Sequence, residues 1–248
     1  MVGDSIFVAD MHFMPRSYPD QTQRHHEFIH FLESVVNRPQ IRNLYIIGDM
    51  FDFWYEYRYY IPKDYFEILH ALKSLVQAGK TIHYFAGNHD FKLGSFFEDQ
   101  IGMTLYRDEL VTQLDKKSVF IHHGDGFARK DRRYRCLKKV LRNPFNQKLF
   151  ALLHPDLGMR LGLLTSKGSR RLNPGIKQQL KDDYREWAVQ LFKQMHYDVI
   201  IIGHTHLAWM EPMGESLFIN LGSWLDDYYY LVYSGNKFTM MQYSIDKE

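Results

Sequence analysis

Five short apolar runs in this sequence are each followed directly by a motif whose side chains can bind metal ions. The runs have the composition of buried strands, and the polar side chains come where each strand would end. Side chains beyond the carboxyl ends of strands in a common α/β sheet meet along one rim, so we expect them to share one site. The motifs are Asp10-Met11-His12, Gly48-Asp49-Met50-Phe51-Asp52, Gly87-Asn88-His89-Asp90, His123-Gly124-Asp125 and Gly203-His204-Thr205-His206.

The candidate ligands combine imidazole nitrogens with hard oxygen atoms. They are Asp10, His12, Asp49, Asn88, His123, His204 and His206. This mixture suits borderline divalent ions such as Mn²⁺, Fe²⁺, Zn²⁺ or Co²⁺. The set is larger than one four-coordinate ion requires, so we predict two ions with Asp49 as the bridge between them. Two ions roughly 3.5–4 Å apart suit in-line phosphoryl chemistry, because they hold both the attacking and the leaving oxygen.

Taken alone, each motif has an ordinary structural explanation. A Gly-Asp pair after a strand is usually a turn, and so is an isolated asparagine such as Asn88. A histidine two residues after Asp10 is usually a surface residue, and the spacing of His204 and His206 also arises by chance. The metal-site interpretation therefore depends on all five motifs occurring together, each after its own strand.

The elements that must position these motifs follow from hydrophobic periodicity. Strands are predicted at residues 5–9, 44–47, 81–85, 117–122 and 198–202, and helices at about 21–37, 63–77 and 176–195. This alternation predicts an α/β fold with a largely parallel sheet and right-handed crossovers. The C-terminal part instead alternates like antiparallel strands, at residues 216–221, 228–233 and 237–243.

Length and composition are those of one globular domain. Of the 248 residues 45% are hydrophobic, so a sizeable core can form. The single cysteine, Cys136, excludes an internal disulfide framework and is typical of a reducing compartment. Met1 to Asp10 lack the pattern of a signal peptide, and no apolar run approaches the roughly 18 residues of a membrane-spanning helix. We therefore expect a soluble cytoplasmic protein that is at most attached to a membrane face.

Positive charge is concentrated in one segment, residues 129–171. This segment holds thirteen Lys/Arg and two Asp, a charge of +11, whereas the whole chain carries +2. Leucines alternate with the basic residues, residues 130–162 are predicted to be helical, and a Ser/Gly/Pro-containing stretch follows at 165–175. A basic amphipathic element of this kind can bind a lipid surface. Equally, its leucines can dock the segment onto the core, as in most amphipathic helices.

The five motifs together resemble the signature of the calcineurin-like metallophosphoesterases: D-x-H, G-D-x-x-D, G-N-H-[DE], H-G-D and G-H-x-H. All five blocks are intact and in order. The resemblance implies an α/β sandwich of two mixed sheets flanked by helices. It implies that Asp10, His12 and His206 hold the first ion, that Asn88, His123 and His204 hold the second, and that Asp49 bridges them. It further implies that Asp52 and Asp90 orient ligands and that His89 lies near the leaving group as a general acid.

A narrower resemblance, to the UDP-2,3-diacylglucosamine hydrolases of lipid A synthesis, rests on the residues that flank those motifs. They are Phe53-Trp54, Phe91-Lys92-Leu93-Gly94 and Leu221-Gly222-Ser223-Trp224. This resemblance implies a helical lid at about residues 130–175 within one domain spanning 1–248. It implies that Asn88, His89, Asp131, Tyr134 and Ser166 contact the substrate. The implied reaction is Mn²⁺-dependent cleavage to UMP and 2,3-diacylglucosamine 1-phosphate, at the cytoplasmic face of the inner membrane.

One departure leaves the substrate open. Well-known members carry arginine where this chain has His89, and histidine is the choice of the wider superfamily. Another nucleotide or lipid-linked diphosphate is therefore an alternative substrate. So is a nucleic acid bound by the basic helices, although the insert has no aromatic stacking platform. A non-catalytic scaffold is a third alternative, but such a protein would have lost ligands and none is missing here. No protein partner is predicted.

Overall fold

The structure is a computed structural model, and it describes residues 3–127, 143–166 and 174–244. The strands are β1 (Asp4–Val8), β2 (Ile41–Ile47), β3 (Trp54–Tyr55), β4 (Thr81–Phe85), β5 (Asp90–Lys92), β6 (Thr104–Tyr106), β7 (Leu110–Leu114), β8 (Lys117–Ile121), β9 (Val199–Ile202), β10 (Ala208–Met213), β11 (Ser216–Leu221), β12 (Tyr229–Ser234) and β13 (Lys237–Gln242). The helices are α1 (Gln21–Val36), α2 (Phe66–Gln77), α3 (Pro144–Phe150), α4 (Pro155–Ser166), α5 (Pro174–Met195) and α6 (Trp224–Asp227).

Two mixed sheets form a sandwich, as predicted. The larger sheet has the order β13-β12-β1-β2-β4-β6, and the smaller has the order β10-β11-β9-β8-β7. In the larger sheet β1, β2, β4 and β6 are parallel, and β12 and β13 add antiparallel strands. In the smaller sheet β8, β9 and β11 are parallel, and β7 and β10 are antiparallel edge strands. Pro212 lies within β10, where an edge strand tolerates a residue without an N–H.

The expectation that all five motifs follow strands of one common sheet is wrong. β1, β2 and β4 belong to the larger sheet, whereas β8 and β9 belong to the smaller one. The motifs still meet, because the carboxyl ends of both sets lie at the same edge of the sandwich. The two sheets are joined there: the backbone N–H of His204 donates to Asp10 Oδ2 at 2.8 Å, and His123 Nδ1 lies 2.8 Å from the carbonyl oxygen of Ile47.

The strands are apolar on both faces because each sheet is covered on both sides. In β1, Ile6 and Val8 pack toward α1 and α2, whereas Phe7 packs between the sheets with Ile121 and Ile201. Full burial of such a side chain stabilises the fold by about 1.5–3 kcal/mol. The outer face of the smaller sheet is covered by α5, which contributes the fully buried Tyr184 and Ala188. This double coverage explains the continuous apolar runs in the sequence.

The predicted helices are close to those observed. Helix α1 buries Phe28, Phe31, Leu32 and Val35, which recur at helical spacing. A turn of 3₁₀ helix, Lys63–Tyr65, leads into α2. The chain leaves α2 through Gly79, which has a φ of +81° and so fits the predicted C-cap role of a glycine.

Short or mixed-polarity elements were not predicted. They are β3, β5, β6, β7, β10 and α6. Strand β7 alternates half-buried and exposed residues and lies at a sheet edge, so its apolar signal is weak.

The insert contains two separate helices in its described part. The sequence predicted helix over 130–162, but α3 ends at Phe150 and α4 begins at Pro155, since a proline is favoured in the first turn of a helix. Helix α4 also extends to Ser166 and α5 begins at Pro174, so the predicted irregular stretch at 165–175 is shorter at both ends. No helix in the described ranges is long and apolar enough to cross a membrane. The single-domain boundaries and the lid stay predictions.

Candidate metal centre

The backbone at the predicted ligands is strained. Left-handed φ angles occur at Asp10 (54°), His12 (46°), Asp49 (52°), His204 (69°) and His206 (56°). Each such residue costs on the order of 1–3 kcal/mol and persists only where the surrounding structure over-determines it. The concentration of this strain in the ligand motifs is typical of a functional site.

Two glycines permit the close approach of neighbouring turns. A Cβ on Gly48 would lie 2.3 Å from His123 Nδ1, and Gly48 has a φ of +79°. A Cβ on Gly87 would lie 2.1 Å from Asp49 Oδ1. The Gly-Asp and Gly-Asn pairs of the motifs are therefore needed for packing, because any larger residue would push one ligand turn away from the next.

The first group of predicted ligands comprises Asp10, His12 and His206. His12 Nε2 and His206 Nε2 face each other at 3.1 Å, and each lies 3.7 Å from Asp10 Oδ1. The three residues lie close enough together to hold one metal ion. Asp10 is fixed from behind, since its Oδ2 accepts the hydrogen bond from the N–H of His204.

The second group comprises Asp49, His123 and His204, with Asn88 beside them. His123 Nε2 lies 3.1 Å from Asn88 Oδ1 and 3.3 Å from Asp49 Oδ2. The Nδ1 of His123 donates to the carbonyl oxygen of Ile47, so the neutral ring has its lone pair on Nε2. The backbone thus fixes the tautomer that a metal ligand requires.

Asp49 lies between the two groups. Its Oδ2 is 3.3 Å from His123 Nε2 and 3.8 Å from His12 Nε2. Its Oδ1 accepts a hydrogen bond from the N–H of His89 at 2.8 Å, so the carboxylate cannot rotate freely. One oxygen atom therefore faces both groups, which is the arrangement that a bridging ligand needs.

The residues present fit divalent cations. Ligand atoms at 2.0–2.2 Å from one ion lie roughly 3–4 Å from each other, and the Asp10, His12 and His206 atoms lie 3.1–3.7 Å apart. Asp10 Oδ1 is buried and has no hydrogen-bond partner. A buried carboxylate oxygen without a donor is costly unless a cation satisfies it. The chemistry of this donor set therefore fits a bound divalent cation.

The electrostatics of the site also favour a cation. Burial would raise the pKa of Asp49, but the neighbouring imidazoles, His123 foremost, stabilise its ionised form and hold the pKa well below the usual value. Burial likewise opposes charge on His123, yet Asp49 and Asp10 raise its pKa to about 10. Burial and the charge on His123 instead lower the pKa of His204 to about 4. The buried carboxylates thus favour positive charge on His123, in the region where divalent ions would supply more.

The two aspartates predicted to support the ligands lie behind them. Asp90 Oδ2 accepts hydrogen bonds from the N–H groups of Gly87 (2.8 Å) and Asp49 (3.3 Å). Burial, together with the charge on Asp49, raises the pKa of Asp90 to about 6. Asp52 Oδ1 lies 3.5 Å from His12 Nδ1.

His89 lies beside Asp49 with a fixed tautomer. Its Nδ1 donates to the carbonyl oxygen of Asp52 at 2.7 Å, and its Nε2 lies 3.9 Å from Asp49 Oδ2. Burial lowers the pKa of His89, so the neutral ring with a free Nε2 is favoured. The residue can hydrogen-bond to, or exchange a proton with, a group bound beside Asp49.

Three supporting residues were missed by sequence reasoning. The Tyr84 hydroxyl donates to Asp90 Oδ1 at 2.6 Å, the Ser223 hydroxyl donates to the carbonyl oxygen of Asp10 at 3.0 Å, and Asp226 Oδ2 lies 3.2 Å from His206 Nδ1. The hydrogen bond from His206 lowers the pKa of Asp226. Tyr84 lies within a strand and belongs to no motif, and Ser223 lies in a motif that supported the narrower resemblance without indicating this role, so only their spatial position identifies them as supports.

The predicted substrate contacts are only partly described. Asp131 and Tyr134 lie outside the described residues. Ser166 is buried at the end of α4, and its role stays a prediction. The roles of the seven ligands also stay predictions, but the structure does bring all seven together.

The insert docks beside this centre through aromatic residues. Phe53, which directly follows Asp52, packs against Phe91 and Phe150, with ring centroids 4.9 and 5.9 Å away. A Cβ on Gly162 in α4 would lie 2.3 Å from the Phe53 ring. The Gln147 side chain of α3 donates to the carbonyl oxygen of Phe91 at 2.9 Å. Helices α3 and α4 are therefore attached to the same loops that carry the ligands.

Comparisons with known proteins agree with this geometry. The model of the calcineurin-like phosphoesterase family matches residues 5–208. A UDP-2,3-diacylglucosamine hydrolase of Porphyromonas gingivalis is 31% identical over 246 residues, covering 92% of this chain and 93% of that protein. A protein of the same name from Yersinia pestis bv. Antiqua is 30% identical over 229 residues, covering 89% and 90%. Among solved structures, the match to an archaeal phosphodiesterase covers 97% of this chain and 99% of that chain, at 14% identity and with a TM-score of 0.49.

Proposed function

The chain belongs to the calcineurin-like phosphoesterase family, and from this premise we propose that it is a two-metal pyrophosphohydrolase that cleaves UDP-2,3-diacylglucosamine. The products would be UMP and 2,3-diacylglucosamine 1-phosphate. Family membership makes it a metal-dependent phosphoester hydrolase. The finer assignment is supported by the relatives of that name, which are 30–31% identical over about nine-tenths of both chains.

The position of Asp49 Oδ2 carries the two-metal part of the proposal. This atom lies 3.3 Å from His123 Nε2 and 3.8 Å from His12 Nε2. Asp10, His12 and His206 would hold one ion, Asn88, His123 and His204 would hold the other, and Asp49 would hold both. Bound divalent ions supply Lewis acidity toward the phosphoryl oxygens and lower the pKa of water. Mn²⁺ is the proposed ion, since the set mixes imidazoles with hard oxygens.

His89 would act on the diphosphate itself. Its Nδ1–H is held by the carbonyl oxygen of Asp52, so Nε2 is the nitrogen that can meet the substrate. The anionic diphosphate beside this ring would raise the pKa that burial lowers. His89 would then carry the proton that the leaving phosphate requires, which is the role of a general acid.

The insert supports a substrate with apolar chains. Helices α3 and α4, with the turn between them, expose Phe145, Leu149, Leu152, Leu157, Leu161 and Leu164. The insert is also strongly basic, and a basic surface with exposed apolar side chains binds anionic lipid surfaces. A lid role and attachment to the cytoplasmic membrane face are therefore part of the proposal. Residues 129–171 would meet the membrane or the acyl chains.

The direct test is release of UMP from the diacylated substrate by purified protein with Mn²⁺. Asp49→Ala and His123→Ala should abolish turnover, because the first removes the proposed bridge and the second removes a proposed ligand of the second ion. His26→Ala, an exposed histidine on α1, is the matched control and should retain full activity. Turnover of simple phosphodiesters without turnover of the diacylated substrate would refute the substrate assignment and leave the metal chemistry intact.

His89 supports one alternative. With histidine in place of the arginine found in well-known hydrolases, the chain would act on another nucleotide or on a different lipid-linked diphosphate. A nuclease is the variant of this alternative that uses the basic insert, and its affinity would fall steeply with salt. Comparing kcat/KM for the diacylated UDP-sugar, its deacylated analogue and single-stranded DNA distinguishes the proposed hydrolase from an enzyme for another nucleotide and from a nuclease.

A further inference from the structure

Asp226 contacts a predicted ligand although it lies in none of the five motifs. Its Oδ2 is 3.2 Å from His206 Nδ1, while His206 Nε2 faces His12 Nε2 at 3.1 Å and Asp10 Oδ1 at 3.7 Å. If Nδ1 carries the proton and donates to the carboxylate, the lone pair of Nε2 points at the space that Asp10 and His12 share. A carboxylate on the far nitrogen is a common way to orient a metal-binding histidine.

The helix that carries Asp226 is attached to the backbone of Asp10. The N–H groups of Trp224 and Leu225 donate to the carbonyl oxygens of Ala9 (3.1 Å) and Asp10 (3.2 Å). Trp224 is buried and packs against Phe28 and Phe31 of α1. These contacts fix helix α6 against Ala9, Asp10 and α1, and they thereby fix the position of Asp226 beside the first group.

The two metal groups differ in how their histidines are fixed. His123 of the second group is fully buried and is held by a backbone carbonyl group. His206 of the first group is 23% exposed and Asp226 is 54% exposed, so this histidine is held by a side chain at the open rim of the site. A substitution can remove this support without disturbing the core.

We propose that Asp226 is a positioning residue that holds His206 in its ligand orientation and so sets the affinity of the first site for its divalent ion. The inference rests on the proposed function, because it takes Asp10, His12 and His206 as ligands. It adds that the ion of the first group depends on a residue from the C-terminal helix α6. The ion of the second group does not depend on this residue.

The test is a titration of the metal-free full-length protein with Mn²⁺. Binding is measured by calorimetry and by the electron paramagnetic resonance signal of free Mn²⁺. Asp226→Ala should weaken one of two sites by about 10–100-fold and leave the other within twofold. Asp226→Asn should lie between, since an amide oxygen still accepts the hydrogen bond. The matched control is Asp227→Ala, an exposed aspartate at the next position of α6, which should bind like the unaltered protein.

The outcomes separate this inference from the proposed function. Asp226→Ala binding equal to that of Asp227→Ala at both sites would overturn the inference alone. Equal weakening of both sites would overturn it too, because general loosening and not positioning would then be the cause. If Asp226→Ala lowers the unfolding temperature of the metal-free protein, the isosteric Asp226→Asn decides by the same criteria. An unaltered protein that fails to bind two Mn²⁺ would refute the proposed metal centre itself.

Discussion

Replacing Gly87 by alanine tests whether the approach of two ligand turns is what makes this site work. The added Cβ would lie 2.1 Å from Asp49 Oδ1 and 2.6 Å from the Asp49 nitrogen. Ordinary contact requires the carboxylate to retreat by about 1 Å. That movement breaks the 2.8 Å hydrogen bond from the His89 N–H and moves Oδ2 away from one of the two histidine groups. A misplacement of about 1 Å costs roughly 10²-fold in rate, or about 2.7 kcal/mol in the barrier.

The assay is kcat/KM with saturating Mn²⁺, together with metal content and the thermal unfolding midpoint. Gly87→Ala should lose about 10²-fold in kcat/KM and should bind less Mn²⁺. Gly235→Ala is the control, since its Cβ meets nothing within 4 Å although its φ is +55°. That left-handed backbone should cost about 1–2 kcal/mol of stability and no activity.

One result would refute the reasoning. Gly87→Ala with activity and Mn²⁺ content within threefold of the unaltered protein would mean that the Asp49 carboxylate tolerates the displacement. Asp49 could then not be the atom on which both metal groups depend.

Three further predictions follow from other contacts. Burial lowers the pKa of His83 from 6.5 to about 4, so its contribution to stability is complete above pH 6.5 and is lost as pH falls toward 4. Between pH 7 and pH 5, the free energy of unfolding measured with urea should therefore fall by about 1–2 kcal/mol less in His83→Gln than in the unaltered protein, after allowance for partial exposure. Equal falls in the two proteins would contradict this. Removing metal with a chelator should lower the unfolding temperature, and adding Mn²⁺ should restore it. At a Mn²⁺ concentration a thousandfold above Kd, binding should add about 4 kcal/mol to the free energy of unfolding. An unchanged unfolding midpoint in calorimetry would argue against a site that binds metal in the folded state. In Gly162→Ala the added Cβ would lie 2.3 Å from the Phe53 ring, so the substitution should displace α4. The KM for the diacylated substrate should rise several-fold, while kcat/KM for a small phosphodiester should stay unchanged. Equal changes for both substrates would show that α4 does not contact the acyl chains.

The site is also informative about how its strain is maintained. Five ligand positions have left-handed φ angles, and none of the five is a glycine. Hydrogen bonds hold the turns from several directions, for example from His204 to Asp10 and from His89 to Asp49. Tertiary contacts therefore stabilise backbone conformations that local preference disfavours.

Local features of the sequence were enough to predict a candidate ligand set, whose members the structure brings together, and most of the framework. The seven predicted ligands lie in five short motifs, each of which follows its own strand, and the helices α1 and α2 carry their apolar residues at helical spacing. Burial of both strand faces was also visible, as continuous apolar runs. These features depend on residues close together in the chain, where propensity and periodicity act directly.

Only the tertiary structure decided which groups meet. It assigned the five strands to two sheets, turned Asp49 Oδ2 toward both histidine groups, and brought Asp226 from the C-terminal region to His206. It also placed α3 and α4 against Phe53, where the sequence left docking and lipid binding as equal alternatives. Such contacts join residues that are far apart in the chain, and a short motif does not specify its distant partner. The chemistry of this site was therefore readable from residue types, whereas its geometry came from the packing of two sheets.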